Sequence, residues 1–285
     1  MQHPFSLKNP RRATSCALFN AAHSGTGFSA DFLGDSVLTK AELRSSEDAF
    51  VDQLIDGVVD FGAPLLTANF PRSYIDANRS ASELDPAIIQ DVKPRMINAR
   101  VTVGLGVIPR VVADGKNIQR GKISFSDAQA RLVACYHPYH AMLKQQIDTQ
   151  YQRFGMCILF DFHSMPHEAI KTSARIRGRR PQIVLGDCFG KSCDRWITDK
   201  VEALFTDAGF VVARNTPFAG GFITQHYGQP RKHIHALQIE IDRSLYMDEV
   251  QILRLPDFET FQSRIAKVTA DMAALGPNAL KIAAE

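Results

Sequence analysis

Met156-Cys157-Ile158-Leu159-Phe160 is an unbroken apolar run that passes directly into Asp161-Phe162-His163-Ser164. A short apolar run of this kind reads as a strand covered on both faces, as in a parallel or mixed sheet. The polar residues that follow put a histidine where the strand gives way to a loop. In open α/β sheets, functional side chains gather at that end.

Working outward, the arrangement recurs. Residues 16–22 read as a second buried strand, ending at His23-Ser24-Gly25. Residues 64–68, 183–185 and 210–213 read as short strands, and 100–108 as another, with Gly104 and Gly106 marking close backbone approach. Residues 236–242 alternate, with Leu237, Ile239 and Ile241 facing one way and Gln238, Glu240 and Asp242 the other.

Helices are predicted between these strands. Ser45 or Ser46 caps one, with Glu47 and Asp48 near its positive end, Val51, Leu54, Ile55 and Val58 at helical spacing, and Gly62 as its stop. Ser126 opens a long helical region running to about Arg153 and ended by Gly155, with Pro138 kinking or restarting it. Ser192 caps a helix with the stripe Ile197, Val201, Leu204 and Phe205. Residues 215–228 read as a Gly-rich loop. A last helix starts near Asp257. The alternation predicts an α/β sandwich with a mostly parallel or mixed sheet. The 285 residues fit a single domain, 1–285.

Composition narrows the function. Hydrophobic residues make up 45% and charged residues 22%, an ordinary globular balance, and the net charge of +3 comes without long like-charge runs. A nucleic-acid partner is not indicated. The basic cluster Arg175, Arg177, Arg179 and Arg180 lacks aromatic neighbours and reads as a solvated or substrate-proximal loop. No apolar stretch approaches the roughly 20 residues of a membrane span. The polar start of the chain lacks a signal-peptide core, so a cytoplasmic location with reduced cysteines is expected.

Two histidines at strand ends suggest a metal. A catalytic zinc site takes about three His or carboxylate ligands and keeps one position open. His23 and His163 supply two ligands, and Asp48 or Glu47 the third. Such a metal activates water and polarises a carbonyl. Glu240, set between Ile239 and Ile241, is the candidate general base, because a carboxylate in an apolar strand needs a reason. Arg72 and Arg79 suit bidentate carboxylate binding or oxyanion stabilisation. Arg175 or Arg177 is a further cation for a second substrate carboxylate. His226, beside Gly220-Gly221, is a candidate to line the pocket. His137 and His140, three apart on a helix, read as structural.

The ordered segments His23-Ser24-Gly25, Arg72-x-Tyr74-Ile75-Asp76-x-Asn78-Arg79, Pro138-Tyr139-His140, Asp161-Phe162-His163-Ser164-Met165-Pro166, Gly186-Asp187 and Gln238-Ile239-Glu240-Ile241-x-Arg243 resemble the N-formylglutamate amidohydrolase family. That family is similar in turn to the zinc carboxypeptidases and the desuccinylases. The resemblance implies a three-layer α/β/α sandwich around a mixed sheet. It implies His23 and His163 as metal ligands, Asn78 and Arg79 as the grip on a substrate carboxylate, Arg72 as the group polarising the carbonyl, and Glu240 as the base. The carboxypeptidases place a glutamate three residues after the first histidine. Here that position is Thr26, so the carboxylate ligand comes from elsewhere, with Asp48 preferred over Glu47.

The function so implied is cleavage of N-formyl-L-glutamate to formate and L-glutamate, in histidine breakdown, with zinc or another divalent metal. The alternatives are action on another N-acyl acidic amino acid, a carboxypeptidase, or a metal-free binding protein. A cysteine hydrolase using Cys188 or Cys157 is a further rival.

Overall fold

The computed structural model describes residues 3–92, 98–176 and 178–276. The apolar run at 156–160 is the core of the strand Cys157–Met165, buried at all nine positions. The strand therefore does not stop at Phe160. Asp161, Phe162 and His163 continue it, because alternation puts both phenylalanines on one face and Asp161 and His163 on the other.

Seven strands form a mixed sheet: β1 (Phe5–Lys8), β2 (Ala17–Ala21), β3 (Leu65–Ala68), β4 (Cys157–Met165), β5 (Ile183–Gly186), β6 (Val212–Arg214) and β7 (Ile234–Asp242), in the order β1-β3-β2-β4-β7-β5-β6. β2 runs parallel to β4, and β4 parallel to β7. β5 is antiparallel to β7 and parallel to β6. This is the α/β fold with a mixed sheet that the alternation predicts.

The chain divides into two compact units. One comprises Met1–Ser6, Ala22–Ala49 and Thr67–Leu143. Its core packs Phe32, Leu43, Val112 and Ile118 under Phe28 and Tyr74, and the Arg131 guanidinium lies 4.5 Å from the Tyr74 ring centroid. The other unit comprises Leu7–Ala21, Phe50–Leu66 and Lys144–Glu285 and holds most of the sheet. The helices Arg195–Asp207 and Phe258–Ala273 bury Ile197, Val201 and Phe205, and Phe258, Phe261, Ile265, Val268 and Met272. Each such side chain contributes about 1.5–3 kcal/mol on burial. Among the described residues no helix is long and apolar enough to cross a membrane.

Several local expectations are corrected. Residues 100–108 are not a strand. The Asn98 side chain accepts the Val101 N–H and caps a helix, Ala99–Thr102, after which the chain turns at Gly104 (φ 85). Gly106 does mark close approach, since a Cβ there would lie 2.5 Å from the Glu83 carbonyl oxygen.

Neither Ser45 nor Ser46 caps the next helix. A Thr39–Glu42 capping box starts a helix upstream, Lys40–Leu43, and Phe50 in the left-handed region (φ 66) precedes Val51–Leu54, while Gly62 (φ 81) ends the following 3₁₀ segment. Ser124, not Ser126, caps Phe125–Arg131 by accepting the Asp127 N–H. A π-helical stretch, Leu132–Tyr136, precedes Pro138 and leads into His137–Phe154. Proline lacks an N–H and crowds the carbonyl four residues back, and a widened turn relieves both. Asp194, not Ser192, precedes Arg195–Asp207, because the Ser192 carbonyl is committed to the Ala236 N–H. The loop 215–228 contains a helix, Phe222–Tyr227.

Candidate metal centre

On β4 and β7 the register pairs Asp161 with Gln238 and His163 with Glu240. Registered residues of parallel strands point to the same face. His163 Nε2 lies 2.9 Å from Asp161 Oδ2, and Asp161 Oδ1 accepts a hydrogen bond from Asn20 Nδ2 at 2.7 Å. A carboxylate only accepts, so Nε2 carries the proton and Nδ1 the lone pair of a neutral imidazole. Gln238 Nε2 donates to Glu240 Oε1 at 2.8 Å, and Arg243 Nε donates to Ser164 Oγ at 3.1 Å. All of these side chains are buried.

His23 follows β2 in a turn that admits only glycine at position 25, where a Cβ would lie 2.3 Å from the Phe70 carbonyl oxygen. Two backbone-directed bonds tie this turn to Asp48: Asp48 N–H to His23 O at 3.0 Å, and Ser24 Oγ to Asp48 O at 2.9 Å. His23 Nε2 lies 2.8 Å from Asp76 Oδ1, and Nδ1 lies 3.2 Å from Asp48 Oδ2.

Asp76 is a hub. Its Oδ1 also accepts the Asn78 N–H at 2.8 Å, its Oδ2 accepts from Arg72 Nε at 3.1 Å, and Arg79 Nη2 stands 3.8 Å away. Burial alone would raise the Asp76 pKa, but Arg79, Arg72 and His23 together hold it well below the usual carboxylate range.

With Nε2–H directed to Asp76, the His23 Nδ1 lone pair faces the Asp48 carboxylate. Two acceptors so placed require a cation between them, a proton or a metal ion. Among the described residues, His23 and Asp48 of the first unit and His163 of the second are buried side chains with donor atoms that could hold a metal. Two imidazoles steered by carboxylates and one aspartate are a fitting donor set for zinc. Glu47 is engaged elsewhere, accepting from Arg44 Nε at 2.7 Å and from Nη2 at 3.1 Å.

Arg79 is buried and donates to the Leu105 and Asn78 carbonyls at 3.0 and 2.8 Å. Arg72 is about one-quarter exposed and also lies 3.9 Å from Asp48. Arg175 is exposed and donates to the Gly178 carbonyl at 2.9 Å; Arg177 lies outside the described residues. His226 is exposed on the helix Phe222–Tyr227 and stacks on Phe222 at 4.8 Å. His140 Nε2 lies 2.9 Å from the Ala77 carbonyl oxygen. Sequence reasoning assigned no role to Asp76, Asp161 or Gln238. For the last two a signal existed, because each stands two residues before a candidate on the same strand face.

A mixed α/β sheet with this donor set and a buried glutamate in register is the equipment of a hydrolase, and the chain is one that acts on an amide bond. The model of the N-formylglutamate amidohydrolase family matches residues 15–247, and the chain belongs to that family. It is 31% identical over 241 residues to the N-formylglutamate deformylase of Pseudomonas putida, covering 82% of each chain. The crystal structure of N-formylglutamate amidohydrolase from Ralstonia eutropha JMP134 superposes with a TM-score of 0.89 at 34% identity, over 95% of this chain and 97% of that one. The gene product Atu2144 from Agrobacterium tumefaciens shares the fold, with a TM-score of 0.57 at 18% identity over 99% and 97% of the two chains.

Proposed function

We propose that this chain is a cytoplasmic, metal-dependent deformylase, a single metallohydrolase domain over 1–285, that converts N-formyl-L-glutamate and water to formate and L-glutamate at the end of histidine breakdown. The reading rests on family membership and, above all, on the buried donors of His23, Asp48 and His163. Zinc is the first choice, and manganese, cobalt and iron suit the same donors. A bound zinc ion lowers the pKa of water and polarises a carbonyl oxygen.

The chain's own groups do the rest. Asp76 and Asp161 hold the two Nε2–H groups, which would leave Nδ1 of each histidine to hold a metal. Glu240 takes a proton from the attacking water as its oxygen bonds to the formyl carbon. The C–N bond then breaks, and Glu240 returns the proton to the departing nitrogen. Arg72 stabilises the negative charge that develops on the formyl oxygen. Asn78 and Arg79 bind one substrate carboxylate, Arg175 serves the second, and His226 lines the pocket.

The test is formate release from N-formyl-L-glutamate by metal-replete, chelated and re-supplemented protein. Activity lost on chelation and restored by zinc is expected. Full activity in protein proven metal-free would overturn the reading.

A further inference from the structure

The two central strands carry the same device. On β4, Asp161 stands two residues before His163 and holds its Nε2 at 2.9 Å. On β7, Gln238 stands two residues before Glu240, and its Nε2 donates to Glu240 Oε1 at 2.8 Å. The strands are parallel and in register, so the four side chains form a rectangle on one face, with a steering residue and a steered residue on each strand. Gln238 and Glu240 are both buried.

We propose that Gln238 is a positioning residue for Glu240. Its amide engages one carboxylate oxygen, sets the plane of the group, and directs the transferred proton to the other oxygen. The inference rests on the reading of Glu240 as the general base.

A carboxylate only accepts hydrogen bonds, so a donor on Oε1 removes one of its rotational choices, and a base must be held in geometry to within a fraction of an ångström. The glutamine's other end differs. Gln238 Oε1 is buried and, among the described residues, has no hydrogen-bond partner. An unpaired buried carbonyl is destabilising, and an apolar side chain of the same size would avoid it. A glutamine kept for packing or stability has no reason to carry that defect, whereas one kept for its N–H does.

The N–H on Oε1 occupies one of that oxygen's two lone pairs and draws charge from it, so Oε1 is the less basic seat for a proton. A proton arriving on Oε2 leaves that bond in place. The proton taken from water is therefore carried on Oε2 and returned from it to the departing nitrogen, with Glu240 and Gln238 ending as they began.

Gln238→Met keeps the volume and removes the donor. Expected are a kcat about 10- to 100-fold lower, KM within about twofold of the parent value by the same positioning argument, unchanged metal content, and a Tm equal to or above that of the parent. In a Glu240→Gln background, the same substitution should reduce the residual turnover no further, since the two residues act as one unit.

Unchanged kcat in Gln238→Met would overturn the proposal. So would an equal fractional loss in the Glu240→Gln background, or a loss that tracks a fall in Tm, which marks a structural role. Gln238→Leu, which also lacks a donor and is read the same way, decides the matter if the methionine variant does not fold. The reading of Glu240 itself fails on a separate result, namely near-parental turnover by Glu240→Gln alone.

Discussion

His163 and Glu240 are direct Cα partners across the parallel pair β4–β7. A proposed metal ligand and the proposed base thus ride on neighbouring central strands. Hydrogen bonding along the whole length of both strands fixes their relative position, from Cys157 opposite Ile234 to Met165 opposite Asp242. Sites built on strands hold geometry better than sites on loops, and the two residues can be tested separately because they have different chemistry.

Glu240→Gln should retain the metal and lose turnover. The amide matches the carboxylate in size but cannot accept the water proton, so kcat should fall about 10²- to 10⁴-fold. Metal analysis of the purified variant beside a formate assay checks both halves. A variant that loses metal as well would make Glu240 a ligand rather than a base.

His163→Ala should do the reverse and lose the metal outright. A site left with His23 and Asp48 falls below the three protein ligands of a catalytic zinc centre. Stoichiometric zinc surviving dialysis in this variant would contradict the assignment.

Asp161→Asn and Asp76→Asn test the carboxylates behind the histidines. Each keeps the shape of the side chain while removing the acceptor charge that fixes an Nε2–H. Metal affinity should drop about 10- to 100-fold in either variant, as is usual when an outer partner of a ligand is lost. Competition with a chromophoric chelator reads this without any activity measurement. Asp76→Asn should show the larger effect, because that carboxylate also accepts from Arg72 and from the Asn78 N–H.

How much of this could be read without coordinates depends on the residue. His23 and His163 stand out because each closes an apolar run, at the strand ends where functional side chains of α/β sheets gather. Glu240 stands out because alternation isolates it on the polar face of an apolar strand. Asp161 was hidden by a boundary error: ending the strand at Phe160 removes the i, i+2 relation that puts Asp161 and His163 on one face.

Asp76 was hidden for a different reason. It meets an imidazole 53 residues away, and no local period announces such a contact. The segment 100–108 misled because Val101, Val103 and Leu105 alternate as a strand would. A cap at Asn98 and a positive φ at Gly104 outweigh that propensity.

Gly25→Ala tests the turn that carries His23. A methyl group at that position would meet the Phe70 carbonyl oxygen at 2.3 Å, with backbone of Asn69 and Ala68 close behind. Backbone cannot rotate away as a side chain can, so overpacking should destabilise the protein by about 2–3 kcal/mol. Thermal melting of the variant checks the stability. Metal content should fall with it, since the strain falls two residues from His23. A variant with parental Tm would mean that the loop at Phe70 moves freely.

Arg72 and Arg79 both pair with Asp76, yet the proposal gives them different work, and kinetics can separate them. Arg79 is buried, with its guanidinium fixed by the Leu105 and Asn78 carbonyls, so it presents one set direction to an anion. Arg79→Lys keeps a positive charge and loses the planar fork, which should raise KM for N-formyl-L-glutamate about tenfold or more while leaving kcat within a few-fold. Arg72 is more exposed and is assigned to the charge that appears only as the formyl oxygen becomes anionic. Arg72→Lys should therefore lower kcat by about 10²-fold with a smaller change in KM. Steady-state kinetics on the two variants, each confirmed to hold its metal, gives the comparison. If both changed KM alone, Arg72 would belong with substrate binding, and another group would have to stabilise the oxyanion.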